Sequence, residues 1–143
     1  MLPSKSLMKT IAPRLLPDKT TGRDEQGIPM TILINGYVQL APGKEIEALA
    51  GARELMAETR SQQGCRHYVW SADPAVPGRI YVYENWETEA DLAAHLAGRF
   101  YSEMLAHMGQ YEMLDMDILK YRIDLAEPVY DPEGVPRADF FTG

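Results

Sequence analysis

The stretch "RIYVYENWETEADLAAHL", residues 79–96, runs a period-two pattern directly into a helical one. In its first half Ile80, Val82 and Trp86 share one face, with Glu84 between Val82 and Trp86, while Tyr81 and Tyr83 occupy the other. In its second half Thr88 and Asp91 form an S/T-x-x-D/E capping pattern, which starts a helix. Leu92, Leu96, Phe100 and Met104 give that helix an apolar stripe, and Gly98 is placed to bend or divide it. The strand is therefore apolar on both faces. One layer of helices covers a single face, so the other needs a lid, and the sheet of a second copy is the simplest one. The expectation is a homodimer whose sheets face each other.

Upstream, "CRHYVWSA" (65–72) places Tyr68 and Trp70 on one face and His67 and Val69 on the other. The turn "DPAVPG" (73–78) joins it to the next strand as a hairpin. Earlier still, "TILINGYVQL" (31–40) alternates, with Ile32, Ile34, Val38 and Leu40 opposite Leu33, Asn35, Tyr37 and Gln39. Pro42-Gly43 stops it, and residues 44–60 follow with Ile46, Leu49, Ala52, Met56 and Thr59 at helical spacing, closed near Gly64. Downstream, residues 113–125 alternate through Leu119, Tyr121, Ile123 and Leu125. The order is β-α-β-β-α-β, an α+β ferredoxin-like plan with a four-stranded antiparallel sheet and both helices on one face. The domain spans residues 30–125. Residues 1–29 read as an extended arm with a short helix near Ser6–Ile11, and residues 126–143 as an extended tail. Phe140 and Phe141 mark that tail as a strap across a surface, the partner's included.

The bulk numbers narrow the function classes. The 143-residue chain is 45% apolar, enough for one real core. Its net charge is −7, with +2 in residues 1–29, −6 in 30–125 and −3 in 126–143, so no basic surface suited to nucleic acid stands out. The single cysteine, Cys65, can form neither an internal disulfide nor a cysteine-based zinc site, and it reads as a small buried apolar residue. No run reaches the ~20 apolar residues of a membrane span, and Lys9, Pro13 and Arg14 interrupt the N-terminal run. A cytoplasmic protein without membrane contact is the expectation. His95 and His107 lie twelve residues apart, roughly 18 Å along a helix axis, so they cannot share a metal within one chain. No G-x-G-x-x-G turn asks for a flavin or nicotinamide. No cofactor and no metal are expected.

The segments "GCRHY" (64–68), "YENW" (83–86), "AAHL" (93–96) and Tyr121 fall in an order that resembles the antibiotic biosynthesis monooxygenase family, including the small quinol monooxygenases and polyketide anthrone oxygenases. The resemblance covers about residues 31–123. It implies a dimeric α+β barrel and oxidation of a small phenol, quinol or anthrone by O₂ without metal or flavin. Such chemistry asks for a base to form the substrate anion, donors for the oxyanion and peroxide, and a dry aromatic pocket.

Under that resemblance His95 is the base candidate, because imidazole titrates near working pH and the residue flanks the apolar stripe. Glu84 on an apolar face needs a partner; it either orients His95 or takes a bond from Arg79, Arg99 or Arg122. Trp86 either serves a substrate, by stacking on a ring or donating through its indole, or simply packs in the core. Asn35 is a candidate donor to a substrate oxygen. Tyr37, Tyr68, Tyr83 and Phe100 are candidate substrate contacts, with Trp70 and Tyr81 in the same aromatic pool. His67 and His107 read as surface or interface residues, and Met104 and Met108 as core. The haem-degrading relatives carry a tryptophan where this chain has His95, and Asn35 sits one position out of their register, which makes that reading a poor second. A non-catalytic dimer that binds an aromatic ligand, or an isomerase or lyase on an oxo-acid, are the remaining alternatives.

Overall fold

Alternation at period two puts every second side chain of each strand under a helix layer, and the observed sheet follows it closely. The structure, a computed structural model, describes residues 31–142. The anticipated arm at 1–29, its short helix and the domain start at residue 30 lie outside the described residues. The elements are β1 (Thr31–Gln39), α1 (Lys44–Arg60), β2 (Cys65–Ala72), β3 (Arg79–Trp86), α2 (Glu89–Leu96), α3 (Arg99–Met108) and β4 (Asp115–Ile123). The sheet is antiparallel in the order β2-β3-β1-β4, the ferredoxin-like arrangement.

Gly36 lets β1 pass between its two neighbours. Its φ is +151°, and a Cβ there would lie 2.0 Å from the carbonyl oxygen of Asp117 on β4. Only glycine fits so close an approach. A bulge between Cys65 and His67 resets the β2–β3 register. The consequence is local and important: Tyr68, not His67, stands opposite Glu84, and Trp70 stands opposite Val82.

The helix-side face buries Ile32 and Val38 from β1, Tyr68 from β2, and Ile80, Val82 and Trp86 from β3. Thr88 caps α2, its hydroxyl oxygen accepting from the Asp91 backbone N–H at 3.0 Å. The second helical stretch is divided, as Gly98 suggested: α2 ends at Leu96 and Gly98 is extended, with φ −97° and ψ 175°, before α3 begins. This interruption rotates the phase. Leu92, Met104 and Met108 are buried, but Phe100 is only half-buried and Tyr101 turns toward the sheet instead.

Two expectations about the helices fail. In α1 Ile46 is 71% exposed, and the buried residues are Glu45, Ala48, Ala52 and Thr59. Small side chains let α1 approach its neighbours closely, so the alanine face wins over the larger isoleucine. His107, expected at the surface or an interface, is half-buried between two helices of this chain. Its imidazole lies over Gly51, where a Cβ would fall 2.4 Å from the ring, and its Nε2 donates to the Ala48 carbonyl at 2.8 Å. It braces α3 against α1.

The C-terminal residues fold back on themselves rather than running straight. Arg137 N–H donates to the Val129 carbonyl, and the Glu127 carboxylate collects the backbone N–H groups of Phe141 and Thr142. Phe140 remains exposed. No helix among the described residues is long and apolar enough to cross a membrane.

Candidate functional site

Between the sheet and α3 lies a cavity of about 260 Å³. Val38, Tyr68, Val82 and Glu84 are buried in its wall. Exposed Leu96, Tyr101, Leu105, Met113 and Met116 form its rim. Nearly all of the lining is aliphatic, thioether or aromatic. Glu84 is the lone ionisable acid in it, and it is 7% exposed.

A buried carboxyl in such surroundings needs a partner, and it has one. The indole Nε1 of Trp86, two residues on along the same face, donates to Glu84 Oε2 at 2.8 Å. Burial raises the Glu84 pKa above its ordinary value, and the indole bond offsets only part of that rise. None of Arg79, Arg99 or Arg122 bonds to Glu84. Arg79 donates to Gln39, and Arg99 pairs with Glu58 and Glu103. Glu84 does not orient His95 either.

His95 lies behind the cavity wall rather than in it. The ring is 1% exposed and stacks on Trp86 at 4.6 Å between centroids. Tyr68 and Tyr101, which both line the cavity, meet it edge-on at 5.6 and 5.9 Å. Its Nδ1 donates to Gln62 Oε1 at 2.7 Å, which leaves the proton off Nε2. Burial lowers its pKa, so the neutral ring is favoured.

Tyr68 brings the second polar atom. Its hydroxyl accepts from Trp70 Nε1 at 3.0 Å, leaving its own O–H to donate elsewhere. Burial raises its pKa, so it stays protonated.

Thus the structure brings together His95, Trp86, Glu84 and Tyr68. It does not bring Asn35, Tyr37 or Tyr83 to them, because those side chains belong to the opposite face of the sheet. Asn35 pairs in register with Tyr83 and Leu119 there. Tyr37 gives its hydroxyl proton to Asp115 at 2.8 Å and stacks beneath the Arg79 guanidinium at 4.1 Å. Tyr83 lies against His67 at 5.9 Å. Phe100 is absent from the cavity lining. The residues that sequence reasoning did not assign to the site are Gln62, Tyr101 and the methionine wall of Met104, Met108, Met113 and Met116. Helical spacing gave Met104; nothing in the pattern marks Gln62, which lies past the end of α1. Cys65 is half-buried, and burial pushes its thiol up to about 11, which disfavours the thiolate.

The fold recurs in solved structures. A conserved protein from Methanosarcina mazei superposes with a TM-score of 0.59 at 22% identity, over 65% of this chain and 92% of that one. A Deinococcus radiodurans protein, whose name places it provisionally among the antibiotic biosynthesis monooxygenases, gives 0.54 at 23% identity over 66% and 94%. A Nitrosomonas europaea protein named in the same way gives 0.59 at 17% identity over 66% and 90%. An uncharacterized protein of Synechocystis is 25% identical over 91 residues, which is 64% of this chain and 62% of that relative, so the match spans less than two thirds of its length. Residues 31–107, more than half of the chain and the whole stretch from β1 nearly to the end of α3, match the model of one family. The chain belongs to the antibiotic biosynthesis monooxygenase family.

Proposed function

We propose that the protein is a cofactor-independent monooxygenase that oxidises a small electron-rich phenol or quinol with O₂ in the cavity beneath α3. The observation that carries this reading is a single carboxyl, Glu84, set into an otherwise apolar, aromatic-walled chamber. At about 260 Å³ the chamber lies just below the ~300–1,000 Å³ range of ordinary small-molecule pockets. That favours one or two rings over the three of an anthrone.

The chemistry follows from the lining. A carboxyl whose pKa is raised by burial is a stronger base once ionised, so Glu84 takes the proton from the substrate hydroxyl or ring carbon. The Tyr68 O–H donates to the oxyanion that forms. The anion passes an electron to O₂, and a new C–O bond follows when the two radicals combine. The O–O bond then breaks; one oxygen stays on the ring and the other leaves as water with two substrate hydrogens. Trp86 holds Glu84, and His95 holds Trp86. In this reading His95 is a positioning residue rather than the base.

The open face of the sheet supports the second element, a homodimer. Tyr81, Leu119 and Tyr121 stand there 44%, 55% and 42% exposed, beside Tyr37 and Tyr83. A second copy's sheet is the occupant that matches them.

O₂ uptake by metal-free protein with a panel of hydroquinones tests the activity. Turnover is expected, and Glu84→Gln lowers it about 100-fold with ligand binding retained. Binding without O₂ uptake would identify an aromatic-ligand-binding protein instead. Undiminished turnover in Glu84→Gln would remove the assigned base.

A further inference from the structure

Leu96, on the rim of the chamber, also borders a second space. On its other side that leucine lines a more open groove of about 470 Å³, walled also by Ile32, Glu89, Leu92, Lys120 and Arg122. Strand periodicity explains how the two spaces are related. On β4, Met116 and Ile118 face the chamber, and Lys120 and Arg122 are the next two positions on the same face, paired in register with Ile34 and Ile32. Alternate residues of a strand lie roughly 7 Å apart. The lining therefore changes from apolar to cationic in one such step.

These cations are not accounted for by ion pairing. Among the described residues every ion pair involves Lys44, Arg66, Arg99 or Arg137. Glu89 is the one acid in the groove. The chain carries a net charge of −7, so a groove with more cations than anions runs against the whole molecule.

We infer that the groove is an anion subsite of the chamber and that the substrate is an aromatic acid. This rests on the chamber being an aromatic-substrate site. The ring lies against Glu84 and the carboxylate on Arg122 and Lys120. Arg122 offers a planar fork that matches a carboxylate, and Lys120 adds a mobile point charge. The buried acid at one end and the cations at the other fix the direction of entry, with the charged end outermost.

The test is titration of intrinsic tryptophan emission, with Trp70 in the chamber wall as reporter, against 2-naphthoate and against 2-naphthol as a neutral ring of the same frame. Naphthoate is expected to bind about fivefold tighter, the scale of one exposed charge pair, with the preference shrinking at high salt. Lys120→Ala/Arg122→Ala abolishes the preference and leaves naphthol affinity unchanged. Glu89→Gln strengthens naphthoate binding alone. Equal affinity for the two ligands in the native protein, or a preference that survives the double variant, overturns the subsite and leaves the aromatic chamber standing. Failure of both ligands to bind overturns the chamber reading and the subsite with it.

Discussion

The two faces of β3 use neighbouring residues for opposite purposes. Ile80, Val82, Glu84 and Trp86 face the helices and are all buried. Tyr81 and Tyr83, interleaved with them, face away under no helix, and Tyr81 is among the exposed hydrophobic residues. On the helix side the helices cover β3, and Glu84, His95 and Tyr68 have side-chain partners within the chain. The open side is rich in tyrosine, whose ring is apolar and whose hydroxyl tolerates water. A surface built of such residues can stay soluble alone and still be covered by another protein surface. The difference teaches that on β3 exposure follows the face: the helices cover Ile80, Val82 and Trp86, and no described element covers Tyr81.

The largest test of this contrast is truncation on each side. Trp86→Ala should cost about 3–5 kcal/mol in urea unfolding, since it empties a fully buried site and strips Glu84 of its donor. Tyr81→Ala should cost under about 1 kcal/mol in a single subunit. Similar costs at the two positions would erase the distinction between the faces. Gly36→Ala, which pushes β1 against the Asp117 backbone, should cost roughly 2–3 kcal/mol and affect both faces together. Its far-ultraviolet spectrum and melting midpoint check this, and an unchanged midpoint would mean that the close approach relaxes freely.

A smaller effect sharpens the open side. Tyr81→Lys with Leu119→Lys should weaken association at least about tenfold in sedimentation, with the subunit fold unchanged. Unaltered association would place the interface elsewhere.

The smallest effect is on pH, and it concerns the helix side. Glu84 has its folded pKa raised above 4.5, so the folded state holds its proton longer than the unfolded one. Stability from this group is full below 4.5 and falls as pH rises toward the folded value. His95 has its folded pKa lowered below 6.5, so the unfolded state binds more protons as pH falls. Stability from this group is full above 6.5 and falls below it. Glu84→Gln should therefore flatten the alkaline side of a melting-temperature profile, and His95→Gln the acidic side. Unchanged slopes would mean that neither group titrates differently on unfolding.

Much of this was legible in the residues. Period-two alternation located all four strands, and the Thr88–Asp91 cap and Gly98 located the start and the division of the second helical stretch. Alternation also separates Asn35, Tyr37 and Tyr83 from Glu84 and Trp86; resemblance to a family pulled them together, and strand geometry keeps them apart. What could not be read was helical phase. In α1 apolar residues lie on every side, so Ile46 and Ala48 compete for the core and close packing decides. After Gly98 the phase restarts, which exchanges Phe100 for Tyr101 at the cavity. The depth of His95, one ring behind the wall, depends on tertiary stacking that no spacing encodes.

β4 is an edge strand of the sheet, paired with a neighbouring strand on one side only among the described residues. Such a margin invites further strands to add and grow into fibres. Its side chains alternate Asp115, Asp117, Lys120 and Arg122 between apolar neighbours, so charge occurs on both sides of the ribbon. A second β4 laid antiparallel or parallel along it would have to desolvate those charges. The same residues that give the groove its cations therefore also discourage uncontrolled lateral growth along this edge.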